Sequence, residues 1–172
     1  AIEAFNKALS VKPDYAEAHL NIGNVFKDKG KVQEAIEAYT KALSIKKDYV
    51  EAYNNMGNAL HVQGKINKAI EALNKVLSIK PDYAEAYNNM GIIFQDEGKV
   101  EEAIGAYSKA LSIKKDYAEA YNNMGNALHV QGRFEEAFQN FELALSIAPD
   151  YAEAYLNKGA ALHDQGKLEE AI

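Results

Sequence analysis

The four histidines and the acidic side chains are the residues whose types could support metal binding or catalysis. His129 and His163 lie 34 residues apart, and His61 precedes His129 by 68. A zinc site needs three or four protein ligands whose atoms lie about 2 Å from the metal, and no third ligand accompanies these histidines at a suitable spacing. No Ser-His-Asp arrangement for nucleophilic catalysis stands out either. We therefore expect no catalytic residue, no metal site and no cofactor.

Paired asparagines are the second group whose chemistry could serve a function. The stretch YNNMGNALHVQG occurs at 53–64 and again at 121–132. In a helix interior Asn costs roughly 0.7 kcal/mol relative to Ala, so a merely solvated helix face would favour Glu, Lys or Gln. An amide side chain offers a donor and an acceptor together, which is the complement of a peptide group. The asparagines are therefore candidates for binding the backbone of another chain.

Composition and charge narrow the classes of partner. The chain has 172 residues, 48% of them hydrophobic, and a net charge of −6. Nucleic acid and anionic membrane surfaces require a basic patch, so we expect neither as the main partner. No run of about 18 apolar residues is present that could span a bilayer. The absence of cysteine excludes disulfides and thiolate chemistry, and a cytoplasmic location is the default expectation.

A unit of 34 residues recurs along the whole chain. The sequence PDYAEA or a close variant begins at residues 13, 47, 81, 115 and 149. The same step separates three further sets: Gly23, Gly57, Gly91, Gly125 and Gly159; Gly30, Gly64, Gly98, Gly132 and Gly166; and Ala35, Ala69, Ala103, Ala137 and Ala171. Residues 45–65 and 113–133 differ at only two positions, which indicates duplication of a two-repeat block. Identity inside that block is therefore weaker evidence for function than recurrence outside it.

Each repeat is predicted to form two helices. The first opens at an Asp that is followed three residues later by Glu, as at Asp14 and Glu17, which predicts a capping box. It ends near a glycine such as Gly30, which can close a helix in the left-handed conformation. The second helix runs through stretches such as EAIEAYTKALSI at 34–45. The chain is therefore expected to be all-α.

The helix pair and its pattern of small and large residues resemble the tetratricopeptide repeat family over the whole chain. Its signature positions match the first-helix aromatics Tyr53, Tyr87, Tyr121 and Tyr155, the pairs Ile22-Gly23, Met56-Gly57, Met90-Gly91 and Met124-Gly125, and second-helix sets such as Ala35-Tyr39-Ala42 and Ala137-Phe141-Ala144. His19 and Lys158 depart from the pattern. The resemblance implies a right-handed α-solenoid superhelix of stacked antiparallel helix pairs, in which the first helices line a concave groove that binds peptides.

The repeat phase predicts a single array over 1–172. It comprises the second helix of a preceding repeat at 1–12, full repeats at 13–46, 47–80, 81–114 and 115–148, and a partial repeat at 149–172. Because the chain begins in mid-repeat, we expect it to be part of a longer array.

The helical step predicts which residues line the groove. With Ala16 and its equivalents as position 1, about 100° per residue places positions 3, 4, 7, 8, 11 and 14 on a buried face and positions 2, 5, 6, 9, 12 and 13 opposite it. The predicted groove residues are Asn21, Asn55, Asn89, Asn123 and Asn157 at position 6, Asn54, Asn88 and Asn122 at position 5, Asn58 and Asn126 at position 9, and His61, Gln95 and His129 at position 12. The position-6 residues, called the ladder asparagines below, recur in the divergent first and fifth repeats. They are similar to an asparagine ladder that holds substrate backbone in the tetratricopeptide region of O-linked N-acetylglucosamine transferases.

Three functions remain open at this point. The leading one is a non-catalytic scaffold that binds extended protein or peptide segments in the groove. The second is head-to-tail self-assembly into a homo-oligomer, because Ile2, Phe5 and Leu9 would lie exposed where a preceding first helix should pack. The third is the substrate-recruiting arm of an enzyme whose catalytic domain lies outside this chain.

Overall fold

The computed structural model describes residues 1–166, which form ten α-helices and no strand. The helices are α1 Ile2–Val11, α2 Ala16–Asp28, α3 Val32–Ile45, α4 Val50–Val62, α5 Ile66–Ile79, α6 Ala84–Asp96, α7 Val100–Ile113, α8 Ala118–Val130, α9 Phe134–Ile147 and α10 Ala152–Asp164. The predicted all-α class and the alternation of two helices per repeat are confirmed. The predictions for Ala171, Ile172 and the end of the partial repeat lie outside the described residues. No helix within 1–166 is both long enough and apolar enough to cross a membrane.

The described chain divides into two compact units. Unit 1 covers residues 1–82 and contains α1 to α5, and unit 2 begins at Tyr83 and contains α6 to α10. The first helices of the repeats are α2 and α4 in unit 1 and α6, α8 and α10 in unit 2. The organisation as a single array, with the boundaries given above, stays a prediction.

Glycine closes each first helix, as the sequence predicts. The φ angles are positive at Gly30, Gly64, Gly98, Gly132 and Gly166, between 70° and 83°. At the end of α2 the Gly30 N–H donates to the Lys27 carbonyl at 2.9 Å, and the Lys31 N–H donates to the Phe26 carbonyl at 2.9 Å. These bonds satisfy carbonyls that would otherwise lack a partner at the helix end.

The capping-box prediction is wrong. The residue that precedes the first helical residue is a tyrosine in every repeat, as at Tyr15 and Tyr49, and its side chain makes no capping hydrogen bond. The aspartate lies one residue further out, in the turn. At Tyr15, Tyr49 and Tyr117 the ring instead faces a lysine from the end of the preceding helix, and Lys46 Nζ lies 4.2 Å from the Tyr49 ring centroid. A cation over an aromatic face is attracted by the ring quadrupole, so this contact helps to order the connection.

A close approach of helix to helix builds the core of each unit. In unit 1, Leu20, Ala35 and Tyr39 belong to one buried cluster that Ala42, Ala52 and Ala59 complete. A Cβ placed on Gly23 would lie 2.4 Å from Cε1 of Tyr39, which is closer than any carbon contact allows. Gly91 stands in the same relation to Tyr107, and Gly125 to Phe141, in unit 2. The glycine lets the large side chain of the second helix lie against the backbone of the first.

Candidate functional site

Two adjacent positions on the first helices carry amide side chains, and the structure separates them. The ladder asparagines at position 6 are half-buried. The position-5 residues, called the buried asparagines below, are enclosed: Asn88 and Asn122 are 0% exposed and Asn54 is 7% exposed. The prediction that both asparagines of each pair line an open groove is therefore wrong for Asn54, Asn88 and Asn122.

The reason for this burial is the stacking of successive first helices. Position 5 lies at the edge of the predicted exposed arc, and on α6 and α8 the first helix of the following repeat in unit 2 covers it. A signal in the sequence could have revealed this. The first repeat has Leu20 at position 5, and this leucine is 5% exposed. A leucine that alternates with asparagine at one position is typical of a buried site that either apolar packing or hydrogen bonding can fill.

Hydrogen bonds between repeats satisfy the buried asparagines of unit 2. Asn88 Nδ2 donates to Glu119 Oε1 at 3.1 Å, and Asn88 Oδ1 accepts from Asn123 Nδ2 at 3.1 Å. The same arrangement recurs one repeat later, where Asn122 Nδ2 donates to Glu153 Oε1 at 3.4 Å. There the acceptor Asn122 Oδ1 receives a bond of 2.9 Å from Asn157 Nδ2. Asn88 and Asn122 thus each connect to a ladder asparagine and to a glutamate of the following repeat.

These contacts carry an energetic consequence. A buried polar group that loses its partner costs about 1–3 kcal/mol. A change in the spacing between repeats that broke these amide hydrogen bonds would therefore destabilise the fold. Glu119 and Glu153 hold the positions that the sequence assigned to capping boxes, and their carboxylates bind across the repeat boundary instead.

Between α2 and α4 in unit 1 the hydrogen bonds differ, because Leu20 on α2 offers no acceptor. Asn55 Nδ2 donates to Asn24 Oδ1 at 2.9 Å, and the Tyr39 hydroxyl donates to the same oxygen at 2.9 Å. Burial, and then the charge of Asp28, raises the pKa of Tyr39 to about 12. The hydroxyl therefore stays protonated and remains a donor over the physiological range.

The ladder asparagines retain hydrogen-bonding capacity after these contacts. An amide side chain has two N–H donors and an oxygen that accepts two bonds. Asn55, Asn123 and Asn157 each use one N–H toward a neighbouring repeat. The second N–H and the oxygen of each amide are not used by those bonds. This remaining donor and acceptor can pair with one peptide group.

The other predicted groove residues have varied surroundings. Asn58, Asn126 and His61 are half-buried. Gln95 accepts a hydrogen bond of 3.0 Å from the Tyr107 hydroxyl, which uses part of its amide.

His129 forms part of a small polar cluster. Its Nε2 lies 2.9 Å from Asp164 Oδ2, and His163 Nδ1 lies 3.2 Å from Asp164 Oδ1. Hydrogen bonds from His163 and then His129 lower the pKa of Asp164. Within residues 1–166 no group of three His, Asp or Glu side chains has an arrangement that could hold a metal ion.

The comparisons with known proteins agree with the repeat pattern. The TPR repeat profile matches five overlapping segments, 1–30, 23–64, 57–98, 93–132 and 125–166. The crystal structure of MamA protein is similar with 30% identity and a TM-score of 0.72, over 91% of this chain and 85% of that one. YrrB, described as a TPR protein with an unusual peptide-binding site, is 23% identical with a TM-score of 0.70, over 100% of this chain and 89% of its own. PilW, described as a widely conserved type IV pilus biogenesis factor, is 22% identical with a TM-score of 0.88, over 98% of this chain and 79% of its own. No curated protein gives a significant match.

Proposed function

Because the chain belongs to the tetratricopeptide repeat family, whose members generally mediate protein–protein interaction, we propose that it is a non-catalytic scaffold that binds extended peptide segments. The binding surface in this proposal is formed, within each unit, by the ladder asparagines on its first helices. The observation that carries the proposal is the donor and acceptor that these amides retain after bonding to the neighbouring repeat. The peptide-binding site described for YrrB supports the proposal as an analogy of fold.

The spacing of the ladder suits an extended backbone. Neighbouring packed helices lie about 8–10 Å apart, and an extended chain advances about 3.3 Å per residue. One ladder asparagine would then meet roughly every third residue of a bound peptide within each unit. Each amide bond contributes about 0.5–1.5 kcal/mol net, so the three ladder positions of unit 2 imply modest affinity with little dependence on sequence. Selectivity would come from His61, Gln95 and His129 and from Asn58 and Asn126.

The test must separate peptide contact from contact between repeats, because Asn123 and Asn157 serve both. Peptides that bind the wild-type chain would first be selected from a phage-displayed random library and then titrated against variants. We expect Asn123→Ala combined with Asn157→Ala to weaken capture at least about tenfold, since two amide contacts of about 1 kcal/mol each are lost.

The matched control replaces the buried partners instead of the ladder. Asn88→Leu combined with Asn122→Leu removes the hydrogen bonds that these two amides make between repeats. The side chains of the ladder residues Asn123 and Asn157 are unchanged in this variant. This variant should retain capture, and circular dichroism should show the same helicity for both double variants. The proposal would be contradicted if Asn123→Ala with Asn157→Ala captured peptides as tightly as the wild type. An equal loss of affinity in both double variants would also contradict it.

A second candidate function is head-to-tail association, which one observation favours. Tyr155 and Leu156 on α10 are 54% and 73% exposed, while the equivalent of Leu156 is asparagine in three other repeats. The prediction that Ile2, Phe5 and Leu9 on α1 lie exposed is not met in full, because all three are half-buried. This hypothesis predicts a mass that rises with concentration in light scattering and a lower mass for Leu156→Asn. A constant monomer mass over the concentration series would rule it out.

A further inference from the structure

A second groove lies on unit 1, on another side of the first helix from the ladder. It has a volume of about 670 Å³ and is flanked by α3 and α5, with α4 as its floor. The floor is apolar and includes Ile36, Tyr53, Met56 and Leu60. Tyr53, Met56 and Leu60 on α4 lie about 100–160° around the helix from Asn55, by the step of about 100° per residue. A ligand in this groove would therefore leave the ladder uncovered.

One wall of this groove is basic. Lys65, Lys68 and Lys75 line it together with a single acid, Glu71, and all four side chains are exposed. None of the three ammonium groups forms an ion pair within residues 1–166. The wall is thus a local concentration of uncompensated positive charge on a chain whose net charge is −6.

The lysine in the first turn of α5 has no structural justification. The equivalent residue is glutamate in the other three complete second helices, at Glu34, Glu102 and Glu136, whereas α5 carries Lys68 and no acid in its first turn. Positive charge near a helix N-terminus opposes the helix dipole. A locally unfavourable choice without a compensating contact is typical of a functional surface.

The chain contains a matched counterpart in unit 2. There α8 supplies Tyr121, Met124 and Leu128 at the positions of the floor residues of α4. The wall differs, since Glu136 and Leu143 on α9 replace Lys68 and Lys75. Glu136 is also paired with Arg133 at 2.6 Å. The two repeats thus share a floor and differ in the charge of the wall.

We propose that the groove between α3 and α5 is a docking site for an acidic amphipathic helix of another protein. The groove is bounded by two 14-residue helices, and such a helix spans about 21 Å, so it can hold several turns of a third helix. Apolar residues at i, i+3, i+4 and i+7 of the partner fill the floor. Its flanking carboxylates meet the three lysines, and this complementarity selects acidic partners and accelerates their association.

Fluorescence anisotropy with a defined probe tests this inference. The probe is a fluorescein-labelled model helix of about five turns, with leucines at i, i+3, i+4 and i+7 and glutamates between them. Its control has glutamine at every glutamate position. We expect the acidic peptide to bind at least about tenfold more tightly than the neutral one at about 0.05 M salt, and to lose this advantage at about 0.5 M salt.

Two pairs of substitutions on the full chain decide the location. K68E with K75E should weaken binding of the acidic peptide at least about tenfold without loss of helicity, because glutamate suits position 68 in the first turn of α5 and the Lys75 side chain is exposed. E136K with L143K should create a second site in unit 2 and raise the stoichiometry from one peptide to two. Unchanged binding by the first pair, or equal binding of acidic and neutral peptides, would overturn the proposal.

Two further measurements separate this surface from others. The ladder variant Asn123→Ala with Asn157→Ala should bind the acidic peptide as the wild type does, and weakened binding would overturn the assignment to this groove. Light scattering of the wild type should show a mass that K68E with K75E does not change. A concentration-dependent mass that this pair abolishes would instead mean that a second copy of the chain fills the groove.

Discussion

Two buried asparagines of unit 2 provide a matched pair of substitutions with unequal expected costs. Asn88 and Asn122 are both fully buried, and each connects to a ladder asparagine and a glutamate of the next repeat. Leu20 fills the equivalent position of α2 in unit 1, so leucine is compatible with the fold. We predict that Asn88→Leu and Asn122→Leu both fold and that Asn88→Leu is the more destabilising.

The difference rests on a second acceptor one turn further along the first helix. In unit 1 the ladder residue Asn55 donates to Asn24, because Leu20 offers no acceptor. In the repeat that contains Asn122 the residue equivalent to Asn24 is Asn126. After Asn122→Leu the ladder asparagine of the next repeat can therefore turn to a new acceptor.

After Asn88→Leu no such replacement exists, because the equivalent residue is Ile92. The ladder asparagine that follows then loses its acceptor on the neighbouring helix. Both substitutions remove one bond to a glutamate, so that loss cancels in the comparison. The remaining difference is one amide hydrogen bond, about 0.5–1.5 kcal/mol.

Urea unfolding followed by helical circular dichroism measures this difference in the free energy of unfolding. A third variant, Asn122→Leu combined with Asn126→Ala, removes the replacement acceptor and should approach the loss seen for Asn88→Leu. Equal losses for the two single variants, or a larger loss for Asn122→Leu, would refute the reasoning.

Three further predictions concern packing and titration. Gly125→Ala should destabilise the fold by about 2–3 kcal/mol and Gly57→Ala by about 1 kcal/mol. The reason is that the added Cβ would lie 2.5 Å from an aromatic ring carbon at Gly125 but 3.0 Å from the nearest atom at Gly57. Equal losses of unfolding free energy in urea would contradict this. Burial raises the pKa of Tyr39 to about 12, so stability that is complete below the unfolded phenol's pKa of about 10 should fall as pH rises toward about 12. Tyr39→Phe should flatten that decline, and an unchanged pH slope would refute it. Because the pKa of Asp164 is lowered in the fold, its carboxylate contributes stability at pH values above the unfolded pKa of about 3.9. This contribution is lost as pH falls through the folded pKa. His163→Ala should raise this pKa in a carboxyl NMR titration, and an unchanged titration curve would exclude the hydrogen bond as its cause.

The spacing of small residues was sufficient to predict the helix pairs and the C-terminal ends of the first helices. Glycine is required where φ is positive, as at Gly30, and where a ring meets the backbone, as at Gly23, so both sets mark structure directly. The start of the first helix was misassigned because an Asp followed three residues later by Glu also fits an aspartate in the preceding turn. In the structure, Asp14 lies outside α2, and Tyr15 precedes the first helical residue.

The candidate site was only partly accessible to sequence reasoning. The step of about 100° per residue assigns residues to the two faces of one isolated helix. The burial of Asn88, however, depends on the neighbouring helix. The bond from Asn88 to Glu119 joins residues 31 apart, and no pattern within one repeat reports it. The apolar floor and basic wall of the second groove likewise combine residues of three helices.

The amide bonds between repeats also bear on how unit 2 opens. In a repeat protein, stability is approximately the sum of an intrinsic contribution from each repeat and a coupling contribution from each interface between neighbours. The bonds made by Asn88 and Asn122 exist only between neighbours, so they add to coupling and not to the stability of one repeat. Strong coupling suppresses fraying of single repeats in favour of collective opening. Backbone amides in α6 and α8 should therefore exchange with solvent at similar rates, as parts of one cooperative segment.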